Sequence, residues 1–257
     1  MRITYRDKNN HDYWTKRWTD IEADTAMLND QKYPLKYSKL LIKDKNKLIL
    51  EAGCGAGRVL RYYHDNGFKI IGIDFVKEVV EKLKKNDPTL RVEFGDIKNL
   101  KFNNNYFDYI LAFGLYHNLE NTLEKSILET KRVLKSGGYV CASFRADNIQ
   151  TKIVDFLHSR KINKKQFFHK LNLTKKEFEK IFISNGFIVE KIFPVENMPF
   201  LYKFSIFRSK KQKVFNENIA RIEGYQLSSI GKILQKILIN LFPDQFCNVY
   251  LLIAKKV

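Results

Sequence analysis

Hydrophobic residues follow two patterns along the chain, short continuous runs and longer stretches with an apolar residue at every third or fourth position. The short runs lie between Lys47 and Arg145 and are bounded by glycine, proline or charged residues, which is typical of buried strands in a parallel sheet. The stretches between them have helical spacing. Because strand and helix alternate, we predict right-handed βαβ units in an α/β fold whose mostly parallel sheet is covered by helices on both faces.

The alternation stops after Arg145. Thr174-Lys175-Lys176-Glu177 has the form of a capping box and predicts a helix, and residues 187–193 and 249–254 predict two further strands. The first 46 residues are polar and helix-prone. We therefore expect a single domain over residues 1–257, composed of a helical N-terminal cap at 1–46, a core at 47–145, and irregular insertions at 146–173 and 194–247.

The composition is that of an ordinary globular protein, with 44% hydrophobic and 29% charged residues. The N-terminus lacks the apolar run of a secretory signal, and no stretch reaches the roughly 18 apolar residues of a membrane span. Cys54, Cys141 and Cys247 are odd in number, far apart and without zinc-ligand spacing, so we expect neither a fully paired disulfide framework nor a metal site. A cytoplasmic location is the simplest interpretation.

The net charge of +18 is the one unusual bulk property, and residues 146–257 hold more of it than the longer first part of the chain. Such a charge suits a polyanionic partner, either nucleic acid or an anionic membrane surface. It is equally compatible with a lysine-rich composition that has no functional meaning. Lysine greatly outnumbers arginine, whereas phosphate and base recognition favour the bidentate guanidinium, so nucleic acid is the less favoured partner.

A glycine-rich turn, Gly53-Cys54-Gly55-Ala56-Gly57, directly follows the first predicted strand. Such a turn lets the backbone approach a ligand closely and directs amide groups toward it from the start of a helix. A nicotinamide dinucleotide site uses a similar turn. Two features favour a different cofactor, since Arg58 stands where that fingerprint extends toward a later glycine, and the acidic Glu51 ends the strand itself.

At these residues the sequence resembles the class I S-adenosylmethionine-dependent methyltransferases. The segment Leu50–Gly57 resembles the motif that wraps the methionine part of the cofactor, which implies contacts from Glu51, Ala52, Gly53, Cys54, Gly55 and Gly57. Asp74, at the end of the second predicted strand, matches the acid that binds both ribose hydroxyls, and Phe75 matches the apolar residue against adenine. Gly95, Asp96 and Ile97 match the loop that contacts the adenine amino group.

Further motifs extend this resemblance over residues 47–145. Tyr106–Ile110 resembles the fourth motif, Leu134–Tyr139 resembles the lysine-glycine-glycine segment before the fifth strand, and Phe113 ends the fourth strand beside the expected cofactor. The strands predicted at 187–193 and 249–254 look like the family's antiparallel end of the sheet. The resemblance therefore implies a Rossmann-like seven-stranded sheet with an antiparallel last strand, S-adenosylmethionine as cofactor and S-adenosylhomocysteine as product.

Two segments outside these motifs provide candidates near the transferred methyl group. Tyr13 and Arg17 lie in a segment similar to the aromatic-basic helix that many small-molecule members fold over the cofactor, although an aromatic face packed on the sheet explains them equally well. Gly114–Leu119 resembles the family's loop facing the methyl group. Within it His117 is the first candidate for a general base or substrate-orienting residue, and Tyr116 is a weaker one.

The methyl acceptor is inferred from absent motifs. The Asn/Asp-Pro-Pro-Tyr segment of adenine, cytosine and glutamine N-methylating enzymes is missing after the fourth strand, and Cys141 has no neighbouring proline as a pyrimidine-methylating cysteine would. We therefore predict O- or N-methylation of a small molecule. The basic and aromatic insertions would cover an anionic metabolite, such as a nucleotide-linked sugar or phosphorylated compound.

Three alternatives remain at this level. An RNA methyltransferase would bind with an affinity that falls steeply with salt. A membrane-lipid methyltransferase would use the amphipathic stretch 227–241 for peripheral membrane contact. One face of this stretch carries Leu227, Ile230, Leu234, Ile237 or Leu238, and Leu241. Packing of that face on the rest of the fold is the simpler interpretation. A scaffold without turnover would bind the cofactor and methylate nothing.

Overall fold

The computed structural model describes residues 1–6, 9–20, 27, 29–159, 167–215, 220 and 224–257. The strands are β1 (Arg2–Arg6), β2 (Leu48–Ala52), β3 (Lys69–Asp74), β4 (Val92–Phe94), β5 (Phe107–Ala112), β6 (Leu134–Arg145), β7 (Phe167–Asn172), β8 (Phe187–Val195) and β9 (Val249–Lys256). The α-helices are α1 (Asn10–Asp20), α2 (Leu35–Leu41), α3 (Arg58–Asp65), α4 (Lys77–Asn86), α5 (Leu123–Val133), α6 (Ile149–Ser159), α7 (Lys175–Ser184) and α8 (Ser229–Leu241).

Seven strands form the main sheet in the order β4-β3-β2-β5-β6-β9-β8. The pairs among β2 to β6 are parallel, whereas β9 runs antiparallel to both of its neighbours. Successive residues of β2 enter different apolar clusters, Ile49 on one side and Leu50 on the other, so both faces of the sheet are covered. The predicted Rossmann-like fold, including the antiparallel last strand, is confirmed.

The N-terminal segment was predicted to be helical, but its first residues form a strand. Residues Arg2–Arg6 form β1, which pairs antiparallel with β7 to make a separate two-stranded sheet. Met1, Ile3 and Tyr5 alternate with polar residues as in a strand, but the partner strand is more than 150 positions away, so the pairing itself could not be predicted. The insertion that was expected to be irregular at 146–173 contains α6 and β7, and its residues 160–166 lie outside the described part.

An ion-pair network holds β1 against the carboxyl end of β6. Arg2 contacts Asp147 at 2.7 Å and Asp155 at 2.8 Å, and Asp155 also contacts Arg145 at 2.6 Å. All four side chains are at least partly buried. Because Asp155 neutralises two guanidinium groups at once, it joins the N-terminal strand, β6 and α6 in one contact.

Helix α8 is capped by Ser228, whose hydroxyl accepts a hydrogen bond from the Gly231 amide. Its packing differs from the simpler interpretation, because Ile230, Leu234, Ile237 and Leu241 are exposed while Gly231 and Gln235 are buried. No helix within the described ranges is long and apolar enough to cross a membrane.

We expect Asp155→Ala to destabilise the fold by about 3 kcal/mol, because it leaves the largely buried Arg145 guanidinium without its ion pair. The free energy of unfolding from urea titrations measures this effect. Glu81→Ala is the matched control, since it removes an exposed ion pair with Lys77 and should cost about 0.5 kcal/mol or less. Equal losses for the two variants would contradict the role of Asp155.

Candidate functional site

The glycine-rich turn between β2 and α3 is fixed to the end of β3. The Gly53 and Cys54 amides both donate to the Ile73 carbonyl, at 2.8 and 2.9 Å. Gly55 has φ +51°, and a Cβ atom built on it would lie 2.6 Å from the Trp18 indole. Glycine is therefore required at position 55 both by its left-handed backbone and by the ring that covers it.

Asp74 ends β3 directly beside this turn. One carboxylate oxygen accepts from the Gly55 amide at 2.8 Å and the other from the Val76 amide at 3.0 Å. The side chain is only 4% exposed; burial raises its pKa, and the amide hydrogen bonds oppose that rise. A carboxylate oxygen accepts more than one hydrogen bond, so the held group retains acceptor capacity for a pair of hydroxyls. Phe75, the next residue, is 36% exposed beside it.

Glu51 lies behind the turn and does not open to solvent. It accepts a hydrogen bond from the Leu60 amide in the first turn of α3, where helix amides lack partners within the helix. Its other carboxyl oxygen, Oε2, is buried without a hydrogen-bond partner among the described residues. Burial raises the pKa of Glu51 to about 8, and the nearby negative charge of Asp74 adds to this rise.

Three of the predicted cofactor residues direct their side chains into the core. Ala52, Cys54 and Ile97 are all buried, and burial raises the pKa of the Cys54 thiol well above its usual range. Only their backbone groups remain suited to a ligand. This agrees with the chemistry of a glycine-rich turn, which presents amides rather than side chains.

The loop after β4 carries the second predicted carboxylate. The Gly95 amide donates to the Asp74 carbonyl at 3.0 Å, which ties this loop to the first acid. Asp96 accepts from the Lys98 amide at 3.0 Å and pairs with the Lys98 ammonium at 3.0 Å. Its side chain is 43% exposed, so it can meet a ligand that lies over the edge of the sheet.

Within α1, Trp18 packs on the glycine turn, and the predicted cofactor residues Tyr13 and Arg17 contact other side chains of the N-terminal segment. Tyr13 lies under the Arg6 guanidinium, 3.8 Å from the ring centre, and Arg17 lies 6.0 and 5.9 Å from the rings of Trp14 and Trp18. The two indoles stack at 5.5 Å. The larger apolar surface of the indole explains why tryptophan is the residue placed over the bare Gly55 backbone.

Tyr33 and Ser143 complete the end of β5, and sequence reasoning missed both. The Ser143 hydroxyl accepts from the Gly114 amide at 2.9 Å and lies 2.8 Å from the Tyr33 hydroxyl. The Tyr33 ring meets the Phe113 ring edge-on at 5.9 Å. Burial raises the pKa of Tyr33, so its hydroxyl keeps its proton. Phe113 is thereby held at the carboxyl end of β5, as predicted for a residue beside the cofactor.

The position of the Tyr116 side chain does not suit a catalytic residue. Its side chain is fully buried, its hydroxyl lies 2.7 Å from the Thr130 hydroxyl, and its ring packs against Phe182. The short 3-10 helix Tyr116–Asn118 turns this side chain toward α5. The prediction for Tyr116 is therefore corrected, because the hydroxyl stabilises the core.

His117, the next residue, lies beneath β7 with 7% of its surface exposed. Its Nδ1 atom has no hydrogen-bond partner in the part of the chain that the structure describes. Burial lowers the pKa of His117 well below its usual value, and the charges of Lys170, Arg145 and His169 lower it further. The imidazole is therefore neutral at neutral pH, with basic side chains around it. Among the described residues, no group of His, Cys, Asp or Glu side chains is arranged to hold a metal ion.

The Glu51→Gln variant tests the buried carboxyl group. Because the folded pKa of about 8 lies above the unfolded value near 4.3, the wild type loses stability as pH rises between these values. Glutamine does not titrate and still offers an oxygen to the Leu60 amide. The variant should therefore gain stability relative to the wild type from pH 5 to 9, by on the order of a few kcal/mol. Thermal unfolding across this range measures the effect; a difference that does not change with pH would contradict it.

Comparison with known proteins identifies the core. A family model described as a methyltransferase domain matches residues 50–142. An uncharacterized methyltransferase of Schizosaccharomyces pombe is 32% identical over 123 residues, 42% of each chain. A malonyl-[acyl-carrier protein] O-methyltransferase of Enterobacter lignolyticus is 24% identical over 102 residues, 39% of this chain and 40% of the relative. The chain thus spans about two fifths of the length of these curated relatives.

The fold is found again among solved structures. A SAM-dependent methyltransferase from Methanosarcina mazei superposes with a TM-score of 0.58 at 16% identity, covering 88% of this chain and 98% of that one. The matched family segment contains the glycine turn, Asp74, Asp96 and His117. Residues 50–142 therefore match a methyltransferase domain, and the fold is that of S-adenosylmethionine-dependent methyltransferases, whose cofactor is S-adenosylmethionine.

Proposed function

We propose that the protein transfers the methyl group of S-adenosylmethionine to an oxygen or nitrogen atom of a small anionic metabolite. A nucleotide-linked sugar or a phosphorylated compound has the required chemistry. The observation that carries this proposal is the buried, neutral His117 with its unpartnered Nδ1 among basic side chains. A proton acceptor in a positively charged surrounding suits an acceptor molecule that is itself negative.

The groups at the cofactor end of the site suit the parts of S-adenosylmethionine that they would contact. The glycine turn offers backbone amides, Asp74 is held as a two-oxygen acceptor for the ribose hydroxyls, and the half-exposed Phe75 offers a surface to adenine. Asp96 would accept from the adenine amino group. When bound, the cofactor supplies a methyl group activated on a positively charged sulfur.

The acceptor end requires little more than positioning and a place for one proton. As the new bond to carbon forms and the carbon–sulfur bond breaks, a hydroxyl or amine acceptor must lose a proton. His117 Nδ1 would take it, since the imidazole is neutral. In the tautomer protonated on Nε2, the Nδ1 atom has a free lone pair. Ser143 and Tyr33 would fix the preceding Gly114 backbone.

One relative supports oxygen as the acceptor atom. The Enterobacter lignolyticus protein is named an O-methyltransferase, and it matches this chain over 102 residues. Its named acceptor is joined to a carrier protein, whereas the acceptor proposed for this chain is a free metabolite. The proposal therefore takes the reaction type from this likeness and the charge of the acceptor from the surroundings of His117.

Incubation with methyl-labelled S-adenosylmethionine and fractionated cell extract tests the proposal. We expect label in the soluble anionic metabolite fraction with the wild type. Asp74→Asn should remove most of it, because the variant loses carboxylate acceptance of the ribose hydroxyls and with it about tenfold or more in cofactor affinity. Asp65→Asn, on the exposed end of α3, is the matched control.

Label in any other fraction, or in no fraction, would overturn the proposed acceptor. Salt-sensitive label in RNA would identify an RNA methyltransferase. Label in lipid would identify a lipid acceptor. Cofactor binding by calorimetry without label in any fraction would identify a scaffold without turnover.

The His117→Gln variant separates proton transfer from binding. We expect kcat to fall about 100-fold, the lower range for loss of a general base, while cofactor affinity stays within about twofold of the wild type. Single-turnover rates and calorimetry measure the two effects. A raised KM with unchanged kcat would instead make His117 a residue that only orients the substrate.

A further inference from the structure

Helix α8 presents a strip of apolar side chains to solvent. Ile230, Ile233 and Leu241 are 68%, 62% and 66% exposed, and Ile237 and the following Phe242 are also exposed. The spacing of three or four residues places the four helical members on one face. Scattered apolar residues are normal on a surface, but a continuous strip along a helix marks an interaction site.

The rotation of α8 is set by polar contacts on its opposite side. The Gln235 side chain accepts from the Leu201 amide at 3.0 Å and donates to Glu196. Gly231 lies so close to the Phe207 carbonyl that a Cβ atom there would be 2.6 Å from it. Turning the apolar strip inward would break these contacts. The packing of α8 therefore determines that the strip faces solvent.

Basic residues flank the strip. Lys236 borders the strip beside Ile233 and Ile237, whereas Lys232 lies on the Gln235 side of the helix, and α8 contains no acidic residue. The chain from Phe207 to Lys213 is held at the start of α8 by a hydrogen bond from the Ser228 amide to the Phe207 carbonyl, at 2.9 Å. That chain adds four basic residues, Arg208, Lys210, Lys211 and Lys213.

Helix α6 repeats the pattern beside it. Its exposed residues include Ile149, Ile153, Phe156 and Leu157. The Asn148 side chain, just before α6, donates to the Asp244 and Cys247 carbonyls in the segment after α8, at 3.0 and 2.9 Å. Both helices follow strands whose carboxyl ends lie at the edge that carries Asp74, since α6 follows β6 and α8 lies between β8 and β9.

We propose that the protein docks on an anionic lipid bilayer through α8. The apolar strip enters the boundary between headgroups and acyl chains, and the flanking lysines meet the lipid phosphates. An acidic protein partner would match the lysines but would not need a strip of isoleucine at this exposure, whereas a bilayer satisfies both. The docking is independent of the methyl acceptor, because none of its residues lies in the cofactor or His117 site.

Cosedimentation of the full chain with vesicles tests this docking. The wild type should bind vesicles containing about one third phosphatidylglycerol more tightly than pure phosphatidylcholine vesicles, and added salt should weaken the binding. Replacing both Ile233 and Ile237 by Asp should lower the affinity about tenfold or more. Replacing Lys236 by Gln should lower it about fivefold, on anionic vesicles only, whereas Lys232→Gln, on the opposite side of α8, should lower it less.

Leu128→Asp and Ile183→Asp, combined in one double variant, are the matched controls, since together they place the same two charges at exposed apolar positions of other helices. They should bind vesicles like the wild type, and all variants should keep the wild-type affinity for S-adenosylmethionine, which shows that they are folded. Absent binding by the wild type, or equal binding by the Ile233/Ile237 double variant, would overturn the proposal. A wild-type dimer in light scattering that the double variant abolishes would assign the face to self-association instead.

Discussion

The candidate site depends on one residue, Asp74, which ties together the carboxyl ends of three parallel strands. Its carboxylate oxygens accept from the Gly55 and Val76 amides, and its own carbonyl accepts from Gly95. Through these bonds one residue fixes the glycine turn after β2, the start of α4 after β3 and the loop after β4. Since the carboxyl ends of parallel strands meet at one edge, a single buried acid can organise three neighbouring segments there.

A second buried acid so close by has a physical consequence. Glu51 is fully enclosed and near Asp74, and two negative charges in that volume would repel strongly. The raised pKa of Glu51 keeps it protonated at neutral pH, so Asp74 can carry the charge that the two backbone amides stabilise. The pair therefore divides its roles, with one neutral acid supporting α3 and one charged acid available for the proposed contact with the cofactor ribose.

The sequence was sufficient for the parts of the fold that depend on local pattern. Buried strands, the glycine turn and the acid after β3 all follow from short-range periodicity and motif spacing, and the structure has them in the expected places. Contacts between distant segments were not predictable in this way. The pairing of β1 with β7, the placement of Trp18 on Gly55 and the Tyr33–Ser143 contact each join positions whose relation appears only after folding. Tyr116 illustrates the same limit, because the loop motif was recognised but its orientation toward Thr130 was not.

The electrostatics of His117 connect the proposed chemistry to the proposed acceptor. Burial lowers the pKa of the imidazole most, and the charges of Lys170 and Arg145 lower it further, which makes the free imidazole a weak base. A negative charge brought into the same surroundings offsets these cations and raises the pKa of His117 toward its usual value. The base is then strongest when an anionic acceptor is bound and weak when the site holds only water or a neutral molecule. Selectivity for an anionic acceptor and proton transfer from it would thus arise from the same cluster of charges.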